Sequence, residues 1–459
     1  MNNKQIGLVG LGVMGRSLAI NLMNHGISVV GYNQSKAPTE TLKKGYPDTF
    51  TACFTDEELC NQLSTPRMIL FMVPAGKPVD DTIAALKPFL APGDILMDGG
   101  NSFFHDTERR QQELLSSGIH YFGVGISGGE KGALLGPCMM PGGPREAYDS
   151  IKPVLEAIAA SFEQQPCVTY IGPGGSGHYV KMVHNGMEYA EMQAIAEVYL
   201  ALKQDHTNEE IAALFEQWNE GESKSYLLGI TADILKEQDP EGNGSLLDEI
   251  VDVAHNKGTG RWTGQQALEQ EYDASVLLDA YLARAVSNLT DLRSSYEVTE
   301  QGCPLRLEPE TLHRAYDLTR YVIYAQGFGL YRNASMKYSW NLDLSGIAAI
   351  FRAGCIIQCR LLDTLSEQLK QNDDLFMTDW MMEQRNTLLP SLRKVILGSV
   401  QHGIPMPVMN GALTFMDQLG SPLLGANLIQ AQRDYFGAHT FQRIGSELFM
   451  HHDWEHSIK

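Results

Sequence analysis

Lys181, His184, Asn185 and Glu188 follow one another at i, i+3, i+4 and i+7, the spacing that sets four side chains on one face of a helix. A lysine and a glutamate two turns apart can flank one small substrate. A lysine whose pKa is lowered by burial or by neighbouring cations can take a hydroxyl proton, and a glutamate whose pKa is raised can give one back. That pairing suits the oxidation of a hydroxy acid. A solvated ladder of Lys, Asn and Glu would have the same spacing, but the neighbouring turns are apolar and Gly-rich loops precede the segment, which favours a catalytic face.

Such an oxidation needs a hydride acceptor, and the N-terminus has the pattern that holds one. An apolar run, Gln5–Val9, enters Gly10-Leu11-Gly12-Val13-Met14-Gly15, and a helical pattern then runs to about His25-Gly26 before a second strand pattern reaches Tyr32. Strand, G-x-G-x-x-G and helix together are the dinucleotide fingerprint: a tight turn, close backbone approach to the pyrophosphate, and close helix packing. At the end of the second strand, where a carboxylate would bind ribose hydroxyls, stand Asn33, Gln34, Ser35 and Lys36. Ser35 and Lys36 could bind a 2′-phosphate, although Lys36 is equally a solvated surface charge. The choice between NADP and NAD is open at this point, with a lean towards NADP.

The elements that must position these residues fall into two styles. Over the first 175 residues, short apolar runs alternate with helical patterns, the strand candidates being Gln5–Val9, Ser28–Tyr32, Met68–Val73, Ile95–Asp98, His120–Val124 and Cys167–Ile171. This is a parallel α/β pattern, in which ligands collect at the carboxyl ends of the strands. Beyond Gly177 the period becomes helical in His178–Leu202, Ile211–Trp218, Ser223–Glu237, Ser275–Tyr296 and Pro309–Tyr331. Ile211-Ala-Ala-Leu-Phe215 recurs as Ile347-Ala-Ala-Ile-Phe351, the basis for expecting an internal duplication. The expected architecture is α/β followed by all-α: a Rossmann-like dinucleotide-binding domain over 1–175, a large helical domain over 176–421, and a tail over 422–459 that needs another surface to pack on.

With 35 basic and 55 acidic residues the net charge is −20, which repels nucleic acid and anionic membranes over most of the surface. An anionic substrate would therefore need a local basic pocket. Seven cysteines, an odd number with no C-x-x-C pair, fit a reducing compartment, and no apolar run has membrane-spanning length, so a cytoplasmic location is expected. His451, His452 and His456 with Asp453 and Glu455 read as a solvated end, and no metal site is expected.

Taken together, Gly10–Gly15, Asp98-Gly-Gly-Asn101-Ser, Gly125-Ile-Ser127-Gly-Gly129-Glu, Met140-Pro-Gly-Gly143, Lys181-Met-Val-His-Asn-Gly186, Asn256-Lys257-Gly-Thr-Gly and Gln430-Ala-Gln-Arg433-Asp-Tyr-Phe-Gly-Ala-His439 resemble the 6-phosphogluconate dehydrogenase family, over essentially the whole chain. The resemblance implies hydride transfer from C3 of 6-phosphogluconate to a nicotinamide, then loss of C1 as CO2 to give ribulose 5-phosphate, in the pentose phosphate pathway or gluconate utilisation. It implies Lys181 as the base, Glu188 as the acid and Asn185 beside the reacting atoms. It implies Ser127, Gly128, Gly129, Asn101 and His184 around the sugar acid, and Tyr189, Lys257, Arg284, Arg433 and His439 around the phosphate.

By the same resemblance, Arg433 and His439 come from the partner's tail, so that a homodimer shares its active sites. Cofactor contacts fall on Gly10 to Gly15, Asn33, Gln34, Ser35, Val73, Pro74, Ala75 and Asn101. Two departures bear on the cofactor. NADP-using members commonly have Arg where this chain has Gln34, and a frequent Lys is here Pro74, so NAD or dual use is an expected alternative. Apart from the resemblance, the same motifs suit a different β-hydroxyacid dehydrogenase or a non-catalytic nucleotide-binding protein.

Overall fold

A computed structural model describes residues 5–255, 258–296 and 306–454. It forms two compact units, Met1–Ala412 and Leu413–Lys459. The first begins with alternating strands and helices: β1 (Gln5–Val9), α1 (Val13–Asn24), β2 (Ser28–Tyr32), α2 (Lys36–Gly45), β3 (Phe50–Cys53), α3 (Asp56–Gln62), β4 (Met68–Phe71), α4 (Lys77–Leu86), β5 (Ile95–Asp98), α5 (Phe104–Leu115), β6 (His120–Ser127), α6 (Gly129–Leu135), β7 (Cys138–Gly142) and α7 (Arg145–Ile158). The sheet order is β3-β2-β1-β4-β5-β6-β7, parallel except for the antiparallel pair β6–β7. The reversal of order between β1 and β4 opens the crevice in which doubly wound sheets bind dinucleotides. Apolar side chains on the two faces of the strands feed two cores, one holding Leu8, Leu18 and Val124, the other Val30, Phe71 and Leu96.

One strand expectation needs correction. Cys167–Ile171 is not a strand of this sheet; it contributes only a bridge from Val168 to Met139, with a further bridge at Gly172 to Gly142. The edge position belongs instead to β7, whose Pro141 cannot donate to a ladder and is tolerated because it faces away from β6, its carbonyl accepting from the Ile171 N–H at 2.9 Å.

The helical part comprises α8 (Ser176–Leu202), α9 (Asn208–Glu220), α10 (Tyr226–Lys236), α11 (Thr259–Glu269), α12 (Ser275–Ser287), α13 (Thr290–Ser295), α14 (Pro309–Tyr338), α15 (Leu344–Ile350), α16 (Leu361–Gln371), α17 (Asp379–His402) and α18 (Pro407–Gly420). The expected helix Ser275–Tyr296 is thus two, divided at Asn288, whose side-chain amide bonds the carbonyls of Ala254 and Arg284. The starts are written in the caps: Thr207 and Glu210 form a capping box on α9, Asp343 caps α15, and Thr378 caps α17. The two copies of the repeated pentapeptide lie on α9 and at the end of α15, each following a long helix, α8 or α14.

Helix α8 is buried on nearly all sides, and α14 packs along it. The two are joined by a fully buried ion pair, Glu191–Arg320 at 3.1 Å, to which Tyr324 adds a hydroxyl bond of 2.8 Å. Near its end, the Glu197 carboxylate accepts the N–H groups of Val408 and Met409, at 2.9 Å each, in the first turn of α18. Burial pushes the Glu197 carboxyl up to about 7.

In the first unit β8 (Ser161–Phe162) and β9 (Gln165–Pro166) form a short antiparallel pair; in the second, α19 (Ala426–Gly437) precedes a small hairpin of β10 (Phe441–Gln442) and β11 (Phe449–Met450). Its centre is Asp434, buried, which accepts from the N–H groups of Thr440 and His452 and the Trp454 indole and pairs with His451 at 3.0 Å. His451 is therefore a structural partner rather than a purely solvated residue; Glu455 and His456 lie outside the described residues. Among the described residues, no helix is long and apolar enough to cross a membrane, and no three His, Cys, Asp or Glu side chains gather as a metal cluster.

Candidate active site

The glycines after β1 each serve a different need. Gly10 has φ +91°, and a Cβ there would lie 2.5 Å from the Met72 carbonyl oxygen; a Cβ on Gly15 would lie 1.9 Å from the Gly10 carbonyl oxygen. Gly12 has nothing within 4 Å, leaving the backbone open at the N-terminus of α1. Asn33 ties the two strand ends together, accepting from the Leu11 N–H at 2.8 Å and donating to Ser35.

A cavity of about 710 Å³ opens over this loop, lined by the expected Gly10, Gly12, Asn33, Gln34, Ser35, Val73 and Pro74. Leu11, Val13, Met14, Gly15, Ala75 and Asn101 do not line it: Leu11 is buried with its N–H taken by Asn33, Gly15 is a packing contact, and Val13 is exposed at the helix start. The cavity also has residues that were not foreseen, among them Asp56, Asp81 and Thr82. Their helices α3 and α4 carried no signal of a role at the pocket. Lys77 is paired with Asp81 at 2.6 Å.

The second cluster lies on α8. Close approach of helix to sheet places it: a Cβ on Gly177 would fall 2.4 Å from the Gly123 carbonyl oxygen, and one on Gly125 would fall 2.5 Å from the Cβ of Lys181. Lys181, His184 and Asn185 are buried, so the expected polar face is a face turned into protein. Burial pushes the Lys181 ammonium below its ordinary value, opposed by the attraction of Glu188; burial raises the Glu188 carboxyl, opposed by Lys181 and Arg284.

His184 is held well below its ordinary value by burial and by Lys181. Its Nδ1 lies 3.2 Å from Asn185 Oδ1 and 3.5 Å from Lys181 Nζ, and its Nε2 lies 3.2 Å from Ser127 Oγ. With Asn185 accepting at Nδ1, the Ser127 hydroxyl donates to Nε2, which fixes one neutral tautomer. Asn185 Nδ2 reaches Thr259 Oγ1 at 3.4 Å.

Of the remaining expected residues, Gly128 and Gly129 follow Ser127 in left-handed conformations, φ +112° and +62°, and carry the chain into α6. The Arg284 guanidinium stacks 3.5 Å from the centroid of the Tyr189 ring, one residue beyond Glu188. Asn101 is exposed on the turn after β5. Lys257 lies outside the described residues, and Arg433 and His439 belong to the second unit, where Arg433 bonds Gln430 and His439 packs edge-on to Phe436.

A doubly wound sheet with a dinucleotide loop, followed by a helix presenting a buried lysine and a half-buried glutamate, defines a nicotinamide-dependent dehydrogenase of the hydroxy-acid class. Two family models divide the chain between them: the NAD binding domain of 6-phosphogluconate dehydrogenase over residues 5–172, and the C-terminal domain of 6-phosphogluconate dehydrogenase over 177–454. The chain belongs to the 6-phosphogluconate dehydrogenase family.

Among relatives, it is 45% identical to the decarboxylating 6-phosphogluconate dehydrogenase of Escherichia coli K12, covering 99% of this chain and 100% of that one. It is 43% identical to the NADP(+)-dependent decarboxylating enzyme of Bacillus subtilis, over 99% and 100%. The solved 6-phosphogluconate dehydrogenase of Plasmodium falciparum, which was determined in apo form and with its cofactor NADP+ and its substrate 6-phosphogluconate, superposes with a TM-score of 0.94 at 38% identity, covering 98% of this chain and 100% of that one.

Proposed function

We propose that the chain oxidises 6-phosphogluconate at C3 and decarboxylates the product to ribulose 5-phosphate and CO2, in the pentose phosphate pathway or gluconate utilisation. The observation that carries this reading is the Lys181–His184–Asn185–Glu188 face, buried at the first three and half-buried at Glu188, with Ser127 bonded to His184, in a chain of this family. The cradle fits a dinucleotide, because Gly12 leaves open space at a helix N-terminus and the cavity beside it continues to Asn33, Gln34 and Ser35. When bound, the nicotinamide accepts the hydride from C3.

Neutral Lys181, favoured by its burial, takes the 3-hydroxyl proton. As an ammonium it then stabilises charge on the C3 oxygen while the C1–C2 bond breaks and its electron pair forms the enediol. Glu188, whose raised pKa keeps it protonated more readily, delivers a proton to the enediol carbon. Asn185, His184, Ser127, Gly128, Gly129 and Asn101 hold the hydroxyls and carboxylate. Tyr189, Lys257 and Arg284 hold the phosphate, with Arg433 and His439 supplied by the tail of the partner in a homodimer. In this reading the domains are 1–175, 176–421 and the tail 422–459. The reading includes no metal, no nucleic acid and no membrane, and a cytoplasmic location that the free buried cysteines support.

For the cofactor, NADP is the proposed acceptor, with NAD accepted as well. Dual use is favoured by the lining of the cavity: neutral Gln34 and Pro74 face it together with the carboxylates Asp56 and Asp81, and the nearby ammonium of Lys77 is already paired. A 2′-phosphate gains little there over a ribose hydroxyl.

Initial rates of reduced-nicotinamide formation with 6-phosphogluconate, using NADP and NAD in parallel with CO2 trapped and a chelator present, test both parts. Turnover with CO2 release in the presence of chelator is expected, with measurable kcat/KM for both dinucleotides. Silence with both would transfer the reading to another hydroxy acid or to a binding protein.

A further inference from the structure

One buried imidazole lies between the turn that presents Asn101 and the helix that presents Lys181, and the chemistry above gives it no task. His178 is 1% exposed, in the first turn of α8, three residues before Lys181. Its Nε2 lies 3.1 Å from the Asp98 carbonyl oxygen and its Nδ1 lies 2.6 Å from Thr107 Oγ1. A carbonyl oxygen can only accept, so Nε2 carries the ring proton, Nδ1 is the acceptor, and the Thr107 hydroxyl donates to it. Burial holds the ring below the ordinary histidine range, in the neutral form that this pair of bonds requires.

The partners come from separate elements. Asp98 ends β5 and opens the turn Gly99-Gly100-Asn101; Thr107 lies in the first turn of α5, which begins at Phe104, just beyond that turn. The Asp98 carboxylate is itself committed, accepting from Ser102 Oγ at 2.6 Å, the Tyr121 hydroxyl at 3.0 Å and the Gly100 N–H at 2.9 Å. The turn is therefore braced on one side by the Asp98 carboxylate and on the other by the imidazole. The ring packs close against the backbone of β6, where a Cβ on Gly123 would lie 2.6 Å from its Nδ1.

We infer that His178 is a positioning residue, whose Nε2–H holds the Asp98–Asn101 turn in register with Lys181. This rests on the proposed function, in which Asn101 and Lys181 address the same substrate. Hydride transfer depends steeply on alignment: a misplacement of about 1 Å costs on the order of 10²-fold in rate. The imidazole fixes the distance between two loci that belong to different elements and share no direct bond among those described. Its loss should slow the chemical step and spare dinucleotide binding, since no residue of the bridge lines the cofactor cavity.

The test compares His178→Leu, His178→Gln and Thr107→Val with the wild type. The readouts are the single-turnover rate of nicotinamide reduction, with 6-phosphogluconate protiated or deuterated at C3, and the KM for the dinucleotide. Wild-type turnover is measured first, and its absence would remove the functional reading and this inference together. Given turnover, His178→Leu should lower the single-turnover rate by about tenfold or more, with a full deuterium isotope effect and a dinucleotide KM within about twofold of wild type. His178→Gln, whose amide nitrogen takes the place of Nε2, should recover most of that loss, and Thr107→Val should fall between them. A folded His178→Leu enzyme with unchanged single-turnover rate, or a Gln variant no better than Leu, would overturn the inference. Should His178→Leu not fold, Thr107→Val decides: a lowered rate at unchanged dinucleotide KM supports the bridge, and a wild-type rate overturns it.

Discussion

Replacing Gly125 by Ala adds one methyl group at the point where β6 meets α8. The added carbon would stand 2.5 Å from the Cβ of Lys181 and 3.1 Å from the Gly177 carbonyl oxygen. Carbon atoms pack at about 3.5–4.0 Å, so strand and helix must part by about 1 Å. Overpacking of this kind costs about 1–3 kcal/mol of stability. The displacement falls on Lys181 itself, and a shift of about 1 Å at the reacting centre lowers kcat on the order of 10²-fold. The dinucleotide cavity is lined by residues from Val9 to Ala85 and should keep its KM for cofactor. The assay is steady-state reduction of the dinucleotide by 6-phosphogluconate, with thermal unfolding alongside. Gly132→Ala is the control, because its Cβ would meet only the Gly354 and Ser127 carbonyl oxygens at 3.6 Å, an ordinary contact, and it should keep wild-type kcat. A Gly125→Ala enzyme with wild-type kcat and melting temperature would refute the argument that contact with the sheet sets the position of Lys181.

The attraction of Glu188 raises the Lys181 pKa, and a base must be neutral to act, so Glu188→Gln should lower that pKa further and move the acid limb of the kcat/KM profile to lower pH; an unmoved limb would separate the two groups electrostatically. Conversely, Arg284 holds the Glu188 pKa down, so Arg284→Met should move the limb that reports loss of the Glu188 proton to higher pH. In the core, Arg320→Leu strands the buried Glu191 carboxylate and should cost about 3–5 kcal/mol, whereas the double change with Glu191→Leu should cost less; denaturant unfolding that ranks them the other way would remove the pair from its structural role.

Local patterns made the dinucleotide loop legible, since strand, glycine turn and helix occupy consecutive residues and Gly10 and Gly15 each have a steric reason. The spacing of Lys181, His184, Asn185 and Glu188 correctly put them on one helix, but periodicity carries no sign of burial, and three of the four proved buried. Edge strand β7 escaped notice because Cys-Met-Met-Pro-Gly neither alternates nor avoids proline, while the apolar run Cys167–Ile171 looked like a better strand than it is. Asp56 and Asp81 reach the cofactor cavity only because the fold brings α3 beside β2 and α4 beside α3. His178 was hidden for the same reason: its partners lie 71 and 80 residues away, and only the signal of a polar residue in the first turn of a buried helix could have marked it.

Helix α18 has no cap of its own, for Met406 before it offers no side-chain oxygen, and the carboxylate that closes its first turn lies 211 residues earlier in the chain. In synthesis from the N-terminus, Glu197 leaves the ribosome long before Pro407 is joined, and its bonds to that turn form only after α18 has emerged. A protease nick between the two helices that let them part would leave both sequences intact and still deprive α18 of its start. The completeness of that helix thus reports on the continuity of everything translated between them.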